Sequence, residues 1–418
     1  MAHGRSAPRP GYNPCMARRG ISWLNRNVAG MAITSFCADV GYEMVSAVLP
    51  GFLAAIGVAA NALGWIEGIA DAVSSFVKLG AGWYSDRIGR RKPIVILGYF
   101  LSGTALSVFA AAVSWPLILA GRLVAWFGKG IRSPLRDAML SDSIPANVRG
   151  RVFGMHRAAD TAGAVAGPLL GVWLLSVLPR HDPSAPFRSI FLISVIPGLI
   201  SCAAITFLVT EKPVAGNRSR KLWKSVGALP RPYRRFLLAV GVFGAGDFAP
   251  TLLTLAAIQL LTPSRGVVRA GELAALFYVL RNAAHAVTAF PAGLLADVWN
   301  KRNVLAVGYA LGGIAALAAA ALFAWHVTAL VAIAAVFVAA GMYVGIYDAL
   351  EGAIPADLIA SEDRGTAYGV MGAVNGVGDL IASVLVGTLW TAVSPVLAFW
   401  CAAGLMLAGA VMLRCYDA

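Results

Sequence analysis

The chain has 418 residues, of which 59% are hydrophobic and 13% charged, and its mean hydropathy is +0.74. That composition excludes a string of soluble domains and marks an integral membrane protein. The net charge of +14 would point to nucleic acid in a soluble protein. Here the basic residues gather between apolar runs, so the expected partner is the lipid bilayer and no nucleic acid.

In chain order, a polar Arg- and Pro-rich stretch, 1–27, reads as a cytoplasmic tail. Apolar runs follow at 28–50, 61–83, 93–113, 115–140, 150–177 and 188–210, each near the roughly 20 residues a spanning helix needs. A basic linker, 211–235, precedes a second set at 236–261, 270–296, 302–324, 327–351, 364–390 and 394–414. These runs are continuous, which excludes a barrel built from short alternating strands. The predicted fold is therefore an all-α membrane protein with twelve transmembrane helices in two six-helix bundles, 28–210 and 236–418. With the N-terminus inside, the outer loops hold only Arg180, Arg188, Arg265 and Arg269, an asymmetry that places both termini in the cytoplasm. Cys15, Cys37, Cys202, Cys401 and Cys415 lack ligand spacing, so neither a disulfide framework nor a zinc site is expected.

The two halves echo one another. Gly82-x3-Asp86, Arg90-Arg91 and Gly98-Tyr99 match Gly293-x3-Asp297, Lys301-Arg302 and Gly308-Tyr309, with Gly82 and Gly293 offset by 211. Gly130, Asp142, Arg149-Gly150, Gly154 and Gly163 match Gly345, Asp357, Arg364-Gly365, Gly369 and Gly378 at a constant 215. Two blocks at nearly one offset indicate two copies of one unit in the same orientation.

The segment Gly82-Trp-Tyr-Ser-Asp86-Arg87-Ile-Gly89-Arg90-Arg91-Lys92 resembles the signature that the major facilitator superfamily carries between its second and third helices. The weaker copy at Gly293 and Asp297 falls where that family has its second copy. The resemblance implies a bacterial rocker-switch carrier with a central cavity between two bundles. It also implies a gating role for Gly82, Asp86, Arg87, Gly89, Arg90, Arg91, Gly293 and Asp297, with Asp86 facing the start of the eleventh span. The physics agrees, since an acid at a helix N-terminus is favoured by the helix dipole and arginines anchor at an anionic leaflet.

About seventeen ionisable side chains fall inside the predicted spans, and at roughly 3 kcal/mol each they would cost on the order of 50 kcal/mol facing lipid. They must pair, meet water or lie near span ends. In the first half Asp39, Glu43, Glu67, Asp71, Asp137 and Asp160 balance Lys78, Arg122, Lys129, Arg132, Arg136 and Arg157. Helical spacing puts Asp39 with Glu43, Glu67 with Asp71 and Lys78, and Arg122 with Lys129 and Arg136 on single stripes. This predicts one acid cluster, Asp39, Glu43, Glu67 and Asp71, facing Arg122 as a proton-coupling site. A substrate that displaces an arginine from a carboxylate can trigger its protonation. A static salt-bridge network is the competing reading. In the second half Asp247 and Arg281 are placed near the midplane and, with Arg122, are expected to touch substrate. Asp348 and Glu351 are placed at the cytoplasmic edge, and Tyr42, Asn282 and Asn375 toward the cavity.

The fifth span carries Gly163-x3-Gly167-Pro168-x2-Gly171, which resembles the motif of facilitator-family antiporters without its doubled glycine. Small residues allow close helix approach and Pro168 can kink the span, so Gly163, Gly167, Pro168 and Gly171 are expected to serve gating. In the fourth span Trp126 stands where the antiporter pattern has glycine after Arg122. No Walker loop and no metal spacing among His3, His156, His181, His285 and His326 are present, so neither enzyme activity nor cofactor nor metal is expected.

These features predict a monomeric secondary active transporter of the bacterial inner membrane, exporting a small organic molecule against protons. The alternative direction is a proton-coupled importer of a metabolite, sugar-like compound or metal chelate. A third reading is a non-transporting receptor or scaffold on the same fold, which would need no charges in mid-membrane.

Overall fold

The computed structural model describes residues 24–88, 90–144, 149–179, 182–211, 229–351, 354, 358–359 and 364–415. In the first half the helices are α1 (Arg26–Ala55), α2 (Ala60–Ile88), α3 (Lys92–Thr104, continued as a 3-10 turn over Ala105–Ala111), α4 (Trp115–Asp142), α5 (Arg149–Val177), α6 (Ala185–Ile193) and α7 (Val195–Leu208). In the second they are α8 (Arg231–Gly244), α9 (Pro250–Arg265), α10 (Val267–Val298), α11 (Lys301–Ala324), α12 (Leu330–Glu351), α13 (Arg364–Ala392) and α14 (Pro395–Cys415).

Local chemistry sets the helix starts. Asn25 and Asn300 accept from the backbone N–H groups of Val28 and Arg302, capping α1 and α11. Prolines open α3, α4, α6, α8 and α9, where the missing N–H costs nothing. Glu211, placed in the linker by sequence, instead folds back onto α3: its carboxylate accepts from the backbone N–H of Arg91 and, at 3.0 Å, of Lys92. It thereby supplies the negative charge that a helix N-terminus favours.

Among the described residues, nine helical rods are long and apolar enough to cross a membrane. The expected runs that fall outside that set are α2, α4 and the α8–α9 pair. The first two carry Glu67, Asp71, Arg122, Lys129, Arg132 and Arg136 into the bundle. The third is a correction to the continuous span expected at 236–261: α8 stops at Gly244, and the chain resumes as α9 at Pro250. Asp247 lies in the break. The sixth run is likewise divided, at Ser194.

The internal repeat is physical. A methyl on Gly130 would stand 2.7 Å from the Ser74 carbonyl oxygen, and one on Gly345 would stand 2.6 Å from that of His285. Ser74 and His285 are themselves 211 positions apart, so α4 crosses α2 as α12 crosses α10.

The side carrying the α1–α2 turn is the turn side, and the side carrying the α2–α3 connection is the loop side. Across the seam between halves, α2 packs on α13, and α1 and α5 on α10. On the turn side, the Asn61 N–H donates to Thr391 Oγ1 at 3.0 Å, and Gly51 faces Gly271. Gly64 lies so close to the Ser383 carbonyl that an added methyl would come within 2.2 Å of it. Between α5 and α10 the Asn282 side chain donates to the Ala164 carbonyl at 3.1 Å. Nearer the loop side, Arg157 and Val287 are 74% and 73% exposed. The second half begins with its own tie, Tyr233 donating to the Ala367 carbonyl at 2.7 Å.

Candidate functional site

Among the most deeply buried charges of the described residues is Arg122 on α4, which together with Glu67 of α2 is 2–3% exposed. One Nη2 reaches both carboxylate oxygens of Glu67 at 2.7 and 2.8 Å, and Nη1 donates to Ser46 of α1 at 3.0 Å. Its guanidinium lies 3.6 Å from the centre of the Trp126 ring, one turn along α4, a cation–π contact that strengthens when desolvated. The indole N–H of Trp126 donates to Asp71 at 2.6 Å. Trp126 thus stands where the antiporter pattern has glycine, and it links Arg122 to the next acid of α2.

The single acid cluster expected around Arg122 is divided among separate partners. Of its four carboxylates only Glu67 contacts the guanidinium. Glu43 accepts from Tyr278 of α10 at 2.8 Å, across the seam. Asp39, which is 9% exposed, has Asp160, Arg132, Lys129 and Glu43 as its charged neighbours. Lys129 sits with its ammonium 4.2 Å from the Tyr42 ring and 5.0 Å from Trp126. Helical spacing orders acids along one face of α1; it does not say that two acids on that face find partners on different helices.

A second polar group lies between α1, α4 and α5. Arg136 donates to Ser35 at 2.7 Å and to Asp137 at 3.0 Å. Asp160 stands 3.8 Å from Arg136, His156 and Arg157 alike, beyond hydrogen-bonding range. Among the described residues, Asp160 Oδ1, His156 Nδ1, Tyr99 Oη and Arg132 Nε and Nη1 are buried with no hydrogen-bond partner. The Arg132 guanidinium lies 4.3 Å from the Tyr99 ring.

In the second half Asp247 accepts from Tyr343 at 2.8 Å. Arg281 donates to Asn282 at 3.1 Å, and its guanidinium is 6.0 Å from the Tyr278 ring. Asp247 and Arg281 are electrostatic neighbours; no salt bridge joins them among the described residues. Asp348 pairs with His285 at 2.9 Å, both partly exposed. Glu351, expected at an edge, is 5% exposed and held by Tyr309 and Asn375. Asp379 on α13, which sequence reasoning passed over, has Asp71, Asp247, Lys78 and Glu351 around it. Its signal was available in outline, as the residue one turn beyond Asn375.

Of the residues expected to gate, Gly163, Gly167 and Gly171 all face α1 of their own half, against Phe36, Val40 and Met44. Pro168 is buried within α5. Gly293 backs onto open space and Arg90 is exposed. Gly89 lies outside the described residues, as does Asp357. Of Gly82, Asp86, Arg87 and Asp297 the backbone alone is described, within α2 and α10.

The sequence matches the profile of the Major Facilitator Superfamily over residues 31–279 and 267–417. It is 28% identical to an uncharacterized MFS-type transporter of Methanocaldococcus jannaschii, over 90% of this chain and 91% of the other. It is 29% identical to a Multidrug resistance protein B homolog of Mycobacterium tuberculosis, over 50% of this chain and 37% of the other. Among solved structures, a bacterial homolog of the human lysosomal transporter Spinster superposes with a TM-score of 0.71 at 17% identity, covering 93% and 94% of the two chains.

Proposed function

The chain belongs to the Major Facilitator Superfamily of membrane transporters, and from that premise we propose that it is a monomeric, proton-coupled exporter of a small organic molecule. The reading places it in a bacterial inner membrane with both termini, and hence the loop side, in the cytoplasm.

One observation carries the proposal: the fully buried Arg122–Glu67 pair, whose arginine also touches Ser46 and Trp126. A buried ion pair is poor value for stability compared with apolar packing. Its use lies in being switchable. A solute bound beside Arg122 or Trp126 that draws the guanidinium away leaves Glu67 as an isolated buried carboxylate, which takes up a proton. Asp71, through Trp126, feels the same displacement, and Asp39 and Glu43 extend the acid path along α1. Asp247 at the α8–α9 break and Arg281 on α10, the latter facing Tyr278, are the proposed substrate contacts of the other half.

Movement follows the seam. In the proposed cycle α1 and α5 move as one body, because Gly163, Gly167 and Gly171 lock them together, while α2 and α13 slide on their glycines. Gly82, Asp86, Arg87, Gly89, Arg90, Arg91, Gly293 and Asp297 would hold the loop side when it shuts. The partial match to a multidrug resistance protein homolog supports export over import.

The test is untargeted mass spectrometry of cells and medium, comparing the native protein with Asp71→Asn at equal membrane abundance. A compound enriched in the medium only with the native protein is the expected result. Depletion from the medium with gain by the cells would overturn export in favour of import.

A further inference from the structure

The same repeat that pairs Gly130 with Gly345 pairs Arg136 with Glu351 and Asp160 with Asn375, all 215 positions apart, while Tyr99 corresponds to Tyr309. At this pair of equivalent places the two halves carry opposite charge. In the first half Arg136 is an arginine with acids around it, Asp137 at 3.0 Å and Asp160 at 3.8 Å. In the second half the guanidinium is replaced by a carboxylate that has only neutral donors.

Glu351 Oε1 accepts from the Tyr309 hydroxyl at 2.5 Å, and Oε2 accepts from the Asn375 side chain at 3.0 Å. Tyr309 is itself fully buried and fixed by stacking on Phe243 at 3.6 Å between ring centres. Among the described residues no Lys, Arg or His pairs with Glu351. The charged groups that face it are acids, Asp348 on its own helix, Asp247 from the α8–α9 break and Asp379 from α13, the last with Lys78 of α2 beside it. Two cations lie beside those acids and are engaged there, His285 paired with Asp348 and Arg281 hydrogen-bonded to Asn282. Tyr347, also on α12, is a neighbour of Asp247 and Asp348 and brings no positive charge.

A buried acid among acids needs a positive species to balance it. Three kinds are open to it: an organic cation, a metal ion or a proton. At 5% exposure Glu351 presents too little surface to seat an organic cation. Both its oxygens are met by donors, whereas a metal ion needs a shell of oxygen acceptors. The proton alone fits. It adds to one carboxyl oxygen as a new O–H bond, and Tyr309, whose hydroxyl both donates and accepts, turns from donor to acceptor. The proton comes from water and returns to it; no bond to carbon or change of oxidation state is involved.

We propose that Glu351, with Tyr309 and Asn375, forms a proton-binding site of the C-terminal half, distinct from the Arg122–Glu67 pair and loaded and emptied once per transport cycle. The inference rests on the proton-coupled reading above for its role in the cycle, but not for the existence of the site. Access is one helical turn away, where His285 and Asp348 are 33% and 49% exposed. The link to the moving seam is direct: Asn375 adjoins Gly376, which packs against Ala72 and Ser75 of the other half. Sliding of α13 on α2 therefore moves one of the two donors that hold Glu351.

Infrared difference spectroscopy on the full chain in lipid nanodiscs, stepped in pH in H2O and D2O, tests this with protons and deuterons as the only ligand. The native protein should show a protonated-carboxyl C=O band that appears and disappears reversibly and shifts on deuteration. Glu351→Gln should remove one carboxyl's share of it, and Tyr309→Phe should displace it in frequency. Asp348→Asn should leave that share in place. A band of native intensity in Glu351→Gln overturns the site; if that variant fails to fold, an unmoved band in Tyr309→Phe does the same. A native protein whose Glu351 band titrates while no solute moves with protons supports the site and overturns the coupled reading instead.

Discussion

Tyr278 donates a hydrogen bond from its hydroxyl to Glu43 over 2.8 Å, and the two residues belong to opposite halves of the protein. The bond lies where Ala47, Ala275 and Val172 also meet, so a polar clasp sits inside an apolar patch of the seam.

Removing the clasp without the ring separates its contribution from packing. A hydrogen bond to a charged acceptor contributes about 1.5–3 kcal/mol, so Tyr278→Phe should lower the ratio of turn-side-closed to turn-side-open molecules by roughly 10- to 150-fold. Spin labels at Ala59 and Val393, which flank the seam on the turn side, report the ratio as a distance distribution. A distribution unchanged from native would reject the clasp.

Gly64 offers the opposite manipulation. Gly64→Ala would drive a methyl to 2.2 Å from the Ser383 carbonyl oxygen, an overpacking that costs about 1–3 kcal/mol. Because alanine favours helix over glycine by about 0.5–1 kcal/mol, α2 itself should gain stability. That gain offsets only part of the cost, so the expected outcome is a protein that melts earlier than native and is alkylated faster at a cysteine placed at Ser75. Equal alkylation rates would show that the seam tolerates the methyl.

The Arg122–Glu67 pair predicts a split between stability and transport. Glu67→Gln strands a buried guanidinium and should destabilise the protein by about 3–5 kcal/mol. Combining it with Arg122→Met removes both charges and should recover most of the melting temperature, yet transport should stay lost. Recovered transport in the double variant would assign the pair a structural role only.

Asp160 stands 3.8 Å from Arg136 and His156, with Oδ1 buried and unbonded. Polar groups at that spacing are commonly bridged by water, and buried polar atoms are seldom left alone. A map at high resolution should show at least one ordered water between them. Direct contacts shorter than about 3.2 Å would remove the need for it.

The architecture was readable because it depends on composition and period: apolar runs, two repeats and a charge asymmetry at the loops. The interruption at Asp247 was not, because Gly244-Ala245-Gly246 and Phe248-Ala249-Pro250 still score as apolar; only the glycine pair followed by proline marks it. The stripes on α2 and α4 correctly brought Glu67 to Arg122. The stripe on α1 misled, since Asp39 and Glu43 share a face yet one looks to α5 and the other to α10 across the seam. Period fixes the face of a helix, not which neighbour stands opposite each turn of it. Glu351 was misjudged for a related reason: its position at the end of an apolar run suggested an edge, while Tyr309 and Asn375 enclose it.

The docking of Glu211 on the start of α3, and of Tyr233 on Ala367, sets the mechanics of the tether between halves. Each half ends or begins at a pinned point, so pulling on the linker loads those two anchors before it can peel a helix from its bundle. The roughly twenty residues between the pins reach on the order of 70 Å when extended, more than the thickness of a bilayer. A reach of that length sets no tight limit on the distance between the two anchors, so the contacts described across the seam are what hold the halves in register.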